Sequence, residues 1–241
     1  MTATTTTPAT TGPIDPMQLV SDLVAQSPAR AAVFEQLGIE YCCGGKVPLI
    51  DACASRGIAV EEVIAMLEDS TRNASADRDW STASIEELVA DIIETHHAFL
   101  HETLPRVGPL AHKVARAHGS RDPRLVEASV VVDLLVEDLA EHLASEEEDV
   151  FPVCLEIAED GKVDEFETEQ ELHALESEHE QVGAHLARLR ELLDGFVPPD
   201  GACPTYRAYL DALERLEADV HLHVHKENHI LFGKVRDALA D

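Results

Sequence analysis

Apolar positions recur along the chain in two regimes. Up to residue 68 the runs are short. Leu19, Val20, Leu23 and Val24 follow an Asp15-Pro16 start, Ala32, Val33 and Leu37 follow Pro28, and Leu49, Ile50 and Cys53 follow Pro48. Val60, Val63, Ile64 and Leu67 make a fourth run, and Gly38 and Gly57 supply stops. This pattern predicts four short helices in a small domain over 15–68, preceded by a disordered Thr/Ala/Pro tail over 1–14. A polar linker over 69–83 follows, with Trp80 anchoring its far end.

From Ser84 the spacing becomes long and steady. Ser84 and Glu87 form a capping box, and Ile85, Leu88, Val89, Ile92 and Ile93 open an apolar stripe. The expected helices are 84–105, bending onward through Pro109 to residue 118, then 124–157, 165–193 and 205–239. Turn signals at 119–123, at Gly161 and over 195–201 separate them. Four long helices on short loops predict an all-α, up-down-up-down four-helix bundle over 84–240.

Composition narrows the function classes. Aromatic residues make up 4% of the 241, too few to fill the layers of a β-sandwich or barrel. A formal net charge of -29 repels nucleic acid and anionic membranes over most of the surface, so neither is expected as a partner. No run approaches the length of a membrane span, and the first residues carry neither a basic region nor an apolar core. A cytoplasmic location is the expectation. Between Asp133 and Glu180 nineteen acidic residues meet one basic residue, Lys162, which is either a solvated face or a field that attracts iron cations or docks a basic partner.

Thirteen histidines against 18 Lys and Arg are the unusual feature, and several fall on apolar stripes. In the second long helix Val132, Leu135, Leu139, His142, Glu146 and Val150 share a face. In the fourth, Leu213, Leu216, Val220, His223, Glu227 and Ile230 or Leu231 do the same. One His-x-x-x-Glu pair is an ordinary ion pair on a solvated helix. Two such pairs inside aliphatic stripes are not, because imidazole and carboxylate rarely enter a core without a partner. The first helix adds His97, in line with Ile93, Leu100 and Leu104, and the third adds His179, in line with Leu172, Leu175, Val182 and Leu186.

Four imidazoles and two carboxylates from four helices make the donor inventory of a dinuclear metal centre. Two metals with two histidines each and both carboxylates as bridges, plus an oxo or hydroxo bridge, leave room for a small molecule. Mixed nitrogen and oxygen ligation favours iron, with manganese and zinc compatible. Glu147 and Glu178, next to predicted ligands, are candidates for a polar rim or for groups that support the ligands from behind, whereas His225 and His229 read as a solvated pair or a surface metal trap.

The short domain carries Tyr41-Cys42-Cys43-Gly44-Gly45. Adjacent cysteines rarely join in an unstrained disulfide, so Cys42 and Cys43 are expected as thiols, as ligands, or as a bridge to a second chain in a homodimer. Inert burial is the alternative. The helix start at Pro48 is expected to depress a nearby thiol pKa.

These segments resemble the iron-sulfur cluster repair di-iron proteins. The YCCGG run resembles their short N-terminal domain, and the stretches containing His96-His97, His142 to Glu147, Glu176 to His179 and His223 to Asn228 resemble their hemerythrin-like bundle. The resemblance implies two iron ions with a bridging oxo or hydroxo ligand held by His97, His142, Glu146, His179, His223 and Glu227. It also implies a role in restoring iron-sulfur proteins damaged by oxidative or nitrosative stress, by supplying or stabilising iron. Cys42 and Cys43 are expected to contact the damaged cluster or assist transfer. A redox enzyme reacting with nitric oxide or oxygen, and a non-catalytic di-iron sensor, are the competing expectations. The extra histidines of the last helix depart from the pattern.

Overall fold

The capping box forms as the sequence predicts: Glu87 N–H donates to Ser84 Oγ, and Ser84 N–H to Glu87 Oε2, each at 3.2 Å. The computed structural model describes residues 13–73, 78–159, 161 and 163–240. Residues 1–12 of the expected tail, 74–77 of the expected linker and Lys162 lie outside the described residues.

The chain divides into two compact units. One contains residues up to Leu88 together with those from His221 onward, and the other spans Val89–Val220.

The first unit begins with α1 (Val20–Gln26), a 3₁₀ turn (Pro28–Arg30), α2 (Ala31–Leu37), α3 (Leu49–Arg56) and α4 (Val60–Asn73). Val20, Leu23, Phe34, Leu49, Val63 and Leu67 are fully buried and form its core, with Ile14 buried beside them. Two boundaries differ from expectation. The first helix starts at Val20 instead of Pro16, because Val20 N–H donates to Val47 O and Leu49 N–H to Gln18 O, drawing Leu19 into a bridge with Pro48. The fourth continues to Asn73, into the segment read as linker, and its last turn is held by a Thr71–Ser27 hydroxyl contact of 3.2 Å. Trp80 is buried with Arg78 over its ring at 4.3 Å and Lys226 at 4.5 Å, so it does act as an anchor.

The four long helices follow. α5 runs as Ile85–Asp91, a π-helical turn Ile92–His97 and Ala98–His118. α6 runs as Arg124–Ser145, a π turn Glu146–Val150 and Phe151–Ala158. α7 is Glu165–Leu192. α8 is Pro204–Lys226, a π turn Glu227–Leu231 and Phe232–Ala240. Pro105 and Pro109 sit inside α5 without ending it.

Within Val89–Val220 the helices are antiparallel neighbours in chain order. His112 meets Asp133 at 3.0 Å between α5 and α6, His185 meets Asp138 at 3.0 Å between α6 and α7, and Arg190 pairs with Glu217 between α7 and α8. His118 stacks on Tyr206, and His96 meets Asp219 at 3.0 Å, closing α8 against α5. Leu100, Val132, Leu135, Leu139, Leu172 and Leu186 fill the middle. The fold is all-α: four long helices in a bundle, preceded by a small helical region. No helix among the described residues is long and apolar enough to cross a membrane.

The π turns correct one predicted stripe. His97 was aligned with Ile93 four residues earlier, yet Ile93 is 38% exposed whereas Ile92 is fully buried. A π turn inserts one residue into the helical repeat, so the side chain five positions back shares the face of His97.

Candidate metal centre

Three of the long helices carry a π turn where a predicted ligand lies: His97 closes the one in α5, Glu146 opens the one in α6 and Glu227 opens the one in α8. π turns widen the helix and turn side chains out of the regular repeat, and they recur at functional sites.

In the bundle unit His97, His142, Glu146 and His179 are all buried, each below 4% exposure. The Glu146 carboxylate reaches two rings at once: Oε2 lies 3.3 Å from His97 Nε2, and Oε1 lies 3.3 Å from His142 Nε2. His142 Nε2 in turn faces His179 Nε2 at 3.1 Å. His142, Glu146 and His179 present ligand atoms within 4.8 Å of one another. Phe151 stacks on the His97 ring with centroids 5.5 Å apart and closes one side of the site with an apolar wall.

The far side of each ring is fixed. His97 Nδ1–H donates to Glu147 Oε1 at 2.8 Å, and His142 Nδ1–H donates to Glu178 Oε2 at 2.8 Å. A carboxylate only accepts, so each Nδ1 carries a proton, and Nε2 is the nitrogen turned inward and open to a metal. This is the arrangement by which metal-binding histidines are oriented and made more basic. Burial pushes Glu147 up, but hydrogen bonds from His97 and His101 outweigh it and hold the carboxyl below its ordinary range. For Glu178 the hydrogen bond from His142 is the main effect, in the same direction. Both acids singled out in the sequence therefore position the rings of predicted ligands.

The two remaining predicted ligands lie in the other unit. His223 Nε2 and Glu227 Oε1 are 2.9 Å apart on α8, and both residues are completely buried.

The extra histidines of α8 have a different function from the one expected. His225 is buried, not solvated: Nε2–H donates to Ser21 O at 2.8 Å, and the ring packs on Tyr41 at 5.8 Å. Burial, aided by repulsion from His229, lowers its pKa to about 3, so it stays neutral. His221 sets its ring edge-on against Tyr41 at 6.1 Å. Neighbouring turns of α8 thus present His221, His225 and Asn228 to the short helices. The structure supports neither the solvated pair nor the surface metal trap.

Cys42 and Cys43 form a separate cluster with Glu40. Cys42 Sγ and Cys43 Sγ are 3.8 Å apart, too far for a disulfide, and Asn228 Nδ2–H donates to Cys42 O at 3.3 Å. The predicted depression of a thiol pKa is overturned at Cys42. Its hydrogen bond with Cys43, burial and the adjacent Glu40 carboxylate hold that thiol far above its usual range. Cys53 and Cys154 are buried core thiols, and Cys203 lies 3.4 Å from His118 Nε2.

The donors gathered in the bundle unit are imidazole nitrogens and carboxylate oxygens, without sulfur. That set fits iron or manganese, and the split reach of Glu146 fits a carboxylate spanning two ions.

Residues 88–235 match the hemerythrin HHE cation-binding domain, and residues 16–71 match ScdA_N, a domain of unknown function. The chain is 29% identical over 216 residues to the iron-sulfur cluster repair protein ScdA of Staphylococcus haemolyticus, covering 90% of this chain and 96% of that protein. It is 29% identical over 217 residues to the iron-sulfur cluster repair protein YtfE of Pectobacterium atrosepticum, with the same coverage of both. A probable iron-sulfur cluster repair protein of Haemophilus influenzae is 28% identical over 221 residues, covering 90% of this chain and 96% of its own.

Proposed function

Because the chain belongs to the hemerythrin HHE cation-binding family, we propose that His97, His142, Glu146, His179, His223 and Glu227 hold two iron ions with a bridging oxo or hydroxo ligand. The protein then acts in the cytoplasm on iron-sulfur proteins damaged by oxidative or nitrosative stress, supplying or stabilising the iron their clusters need. The relatives named as iron-sulfur cluster repair proteins support this reading along nearly their whole length.

The observation that carries the metal assignment is Glu146, whose two oxygens each face the Nε2 of a different histidine at 3.3 Å. Bound iron would supply exchangeable, redox-active metal. The protein's own contribution is orientation and seclusion. Glu147 and Glu178 keep His97 and His142 in the tautomer that offers Nε2, and Phe151 keeps water from one side of the His97 ring. Cys42 and Cys43 are the groups proposed to meet the damaged cluster, since Cys43 is partly exposed.

The test is restoration of an enzyme whose [4Fe–4S] cluster has been damaged with nitric oxide, incubated anaerobically with the iron-loaded protein. Recovery is expected with iron-loaded protein and not with the Glu227→Ala variant. Equal recovery with metal-free protein would contradict the reading.

A further inference from the structure

The Cys42–Cys43 loop is built around a carboxylate. Glu40 Oε1 accepts hydrogen bonds from the backbone N–H of Cys42 and of Cys43, each at 2.7 Å, and from Cys42 Sγ–H at 3.0 Å. Glu40 Oε2 accepts from Gly44 N–H. Burial pushes Glu40 up, but these donors outweigh it and keep the carboxyl ionised below its ordinary range. The glycines follow from this geometry. A Cβ on Gly44 would lie 2.5 Å from Glu40 Oε2, and one on Gly45 would lie 2.4 Å from the Tyr41 carbonyl oxygen. The loop therefore fixes a carboxylate and two sulfurs together, with ligand atoms of Glu40, Cys42 and Cys43 all within 4.8 Å.

We infer that Glu40, Cys42 and Cys43 form a second cation site, separate from the bundle residues, for one borderline-soft divalent ion of the Fe²⁺, Co²⁺ or Zn²⁺ type. A tetrahedral ion with metal–sulfur bonds of about 2.3 Å spaces two thiolates about 3.8 Å apart. Cys42 Sγ and Cys43 Sγ already stand at 3.8 Å. The Cys42 Sγ–H that now donates to Glu40 marks the position the ion takes: the proton leaves, and sulfur and carboxylate share the metal in its place. Binding is M²⁺ + 2 RSH → M(SR)₂ + 2 H⁺, with both protons released to solvent and no change of oxidation state.

The electrostatics run the same way. Cys42 resists deprotonation because of its hydrogen bond with Cys43, its burial and the Glu40 carboxylate beside it, and a divalent ion offsets that cost. Asn228 directs Nδ2–H toward Cys43 Sγ at 3.9 Å, a donor suited to a charged sulfur. Three protein ligands leave one position open, and Cys43 is partly exposed, so an ion can enter and leave. The site stands on the geometry of this loop and depends neither on iron in the bundle nor on cluster repair.

The experiment uses full-length protein with its bundle iron in place. Co²⁺ is added anaerobically while thiolate-to-cobalt charge-transfer absorption, proton release and retained iron are measured. Only thiolates give that band, so nitrogen and oxygen sites are silent. The expected result is saturation at one Co²⁺ per chain, about two protons released near neutral pH and unchanged iron. The band should vanish in Cys42→Ser/Cys43→Ser and weaken at least tenfold in apparent affinity in Cys43→Ser, whose partly exposed position makes it a safer variant for folding than one at buried Cys42. In unmodified protein, bound Co²⁺ should also slow alkylation of Cys43. Absence of a thiolate band, or a band that survives in the double variant, would overturn the site. Neither outcome bears on the bundle iron, which is counted separately.

Discussion

Glu147 Oε1 sits 2.8 Å from His97 Nδ1, so the residue after a predicted metal ligand on α6 fixes the tautomer of a ligand on α5. Glu178 does the same for His142 from α7, one residue before His179. Of two adjacent residues on one helix, one is thus a predicted ligand and the other steers another helix's imidazole.

This division predicts a graded set of variants. Glu147→Ala and Glu178→Ala should each lower iron affinity by about 10–100-fold, because the ring they orient is left free to turn. Glu146→Ala should abolish stable binding at two ions. Chelator competition measured by iron release separates the cases, and equal loss in all three would contradict the register assigned to α6.

The packing of α6 gives a second test in metal-free protein. Leu135 is fully buried whereas its neighbour Leu134 is 44% exposed. Leu135→Ala should cost about 2–5 kcal/mol of stability. Leu134→Ala should stay within about 0.5 kcal/mol. Denaturant midpoints on chelator-treated protein check both, and similar losses would mean the helix is rotated.

The glycine pair supplies a third. Gly45→Ala places Cβ 2.4 Å from a backbone oxygen that cannot swing aside, whereas Gly44→Ala meets the end of the Glu40 side chain, which can turn away by giving up its hydrogen bonds. Gly45→Ala should therefore be the more destabilising of the two. Gly44→Ala should mainly displace Glu40 and raise the reactivity of Cys43 toward alkylating reagents. Thermal unfolding and timed thiol labelling read the two effects, and the reverse order would show that the loop is not braced as described.

The long helices were legible because aliphatic residues at steps of three and four leave little choice, and because Ser84 and Glu87 announce the first of them. His142 with Glu146 and His223 with Glu227 were legible for the same reason, as polar residues in stripes that are otherwise apolar. Ile93 was misplaced because a π turn has no signature in the apolar spacing that surrounds it. His225 was read as solvated because its partner, the Ser21 carbonyl, lies some two hundred positions away, and local pattern carries no trace of such a contact. The same holds for Asn228 and Cys42: no local spacing announces that the Cys42 loop meets α8 one residue past Glu227.

The central claim is that the six residues hold a coupled pair of irons with Glu146 as one bridge. Full-length protein reconstituted with iron anaerobically and then oxidised should be measured by metal analysis together with Mössbauer spectroscopy, beside Glu146→Ala. The account predicts two irons per chain with the magnetic coupling of a bridged pair in the unmodified protein, and loss of that coupling in the variant. One iron per chain, two uncoupled irons, or an unchanged coupled pair in Glu146→Ala would contradict it.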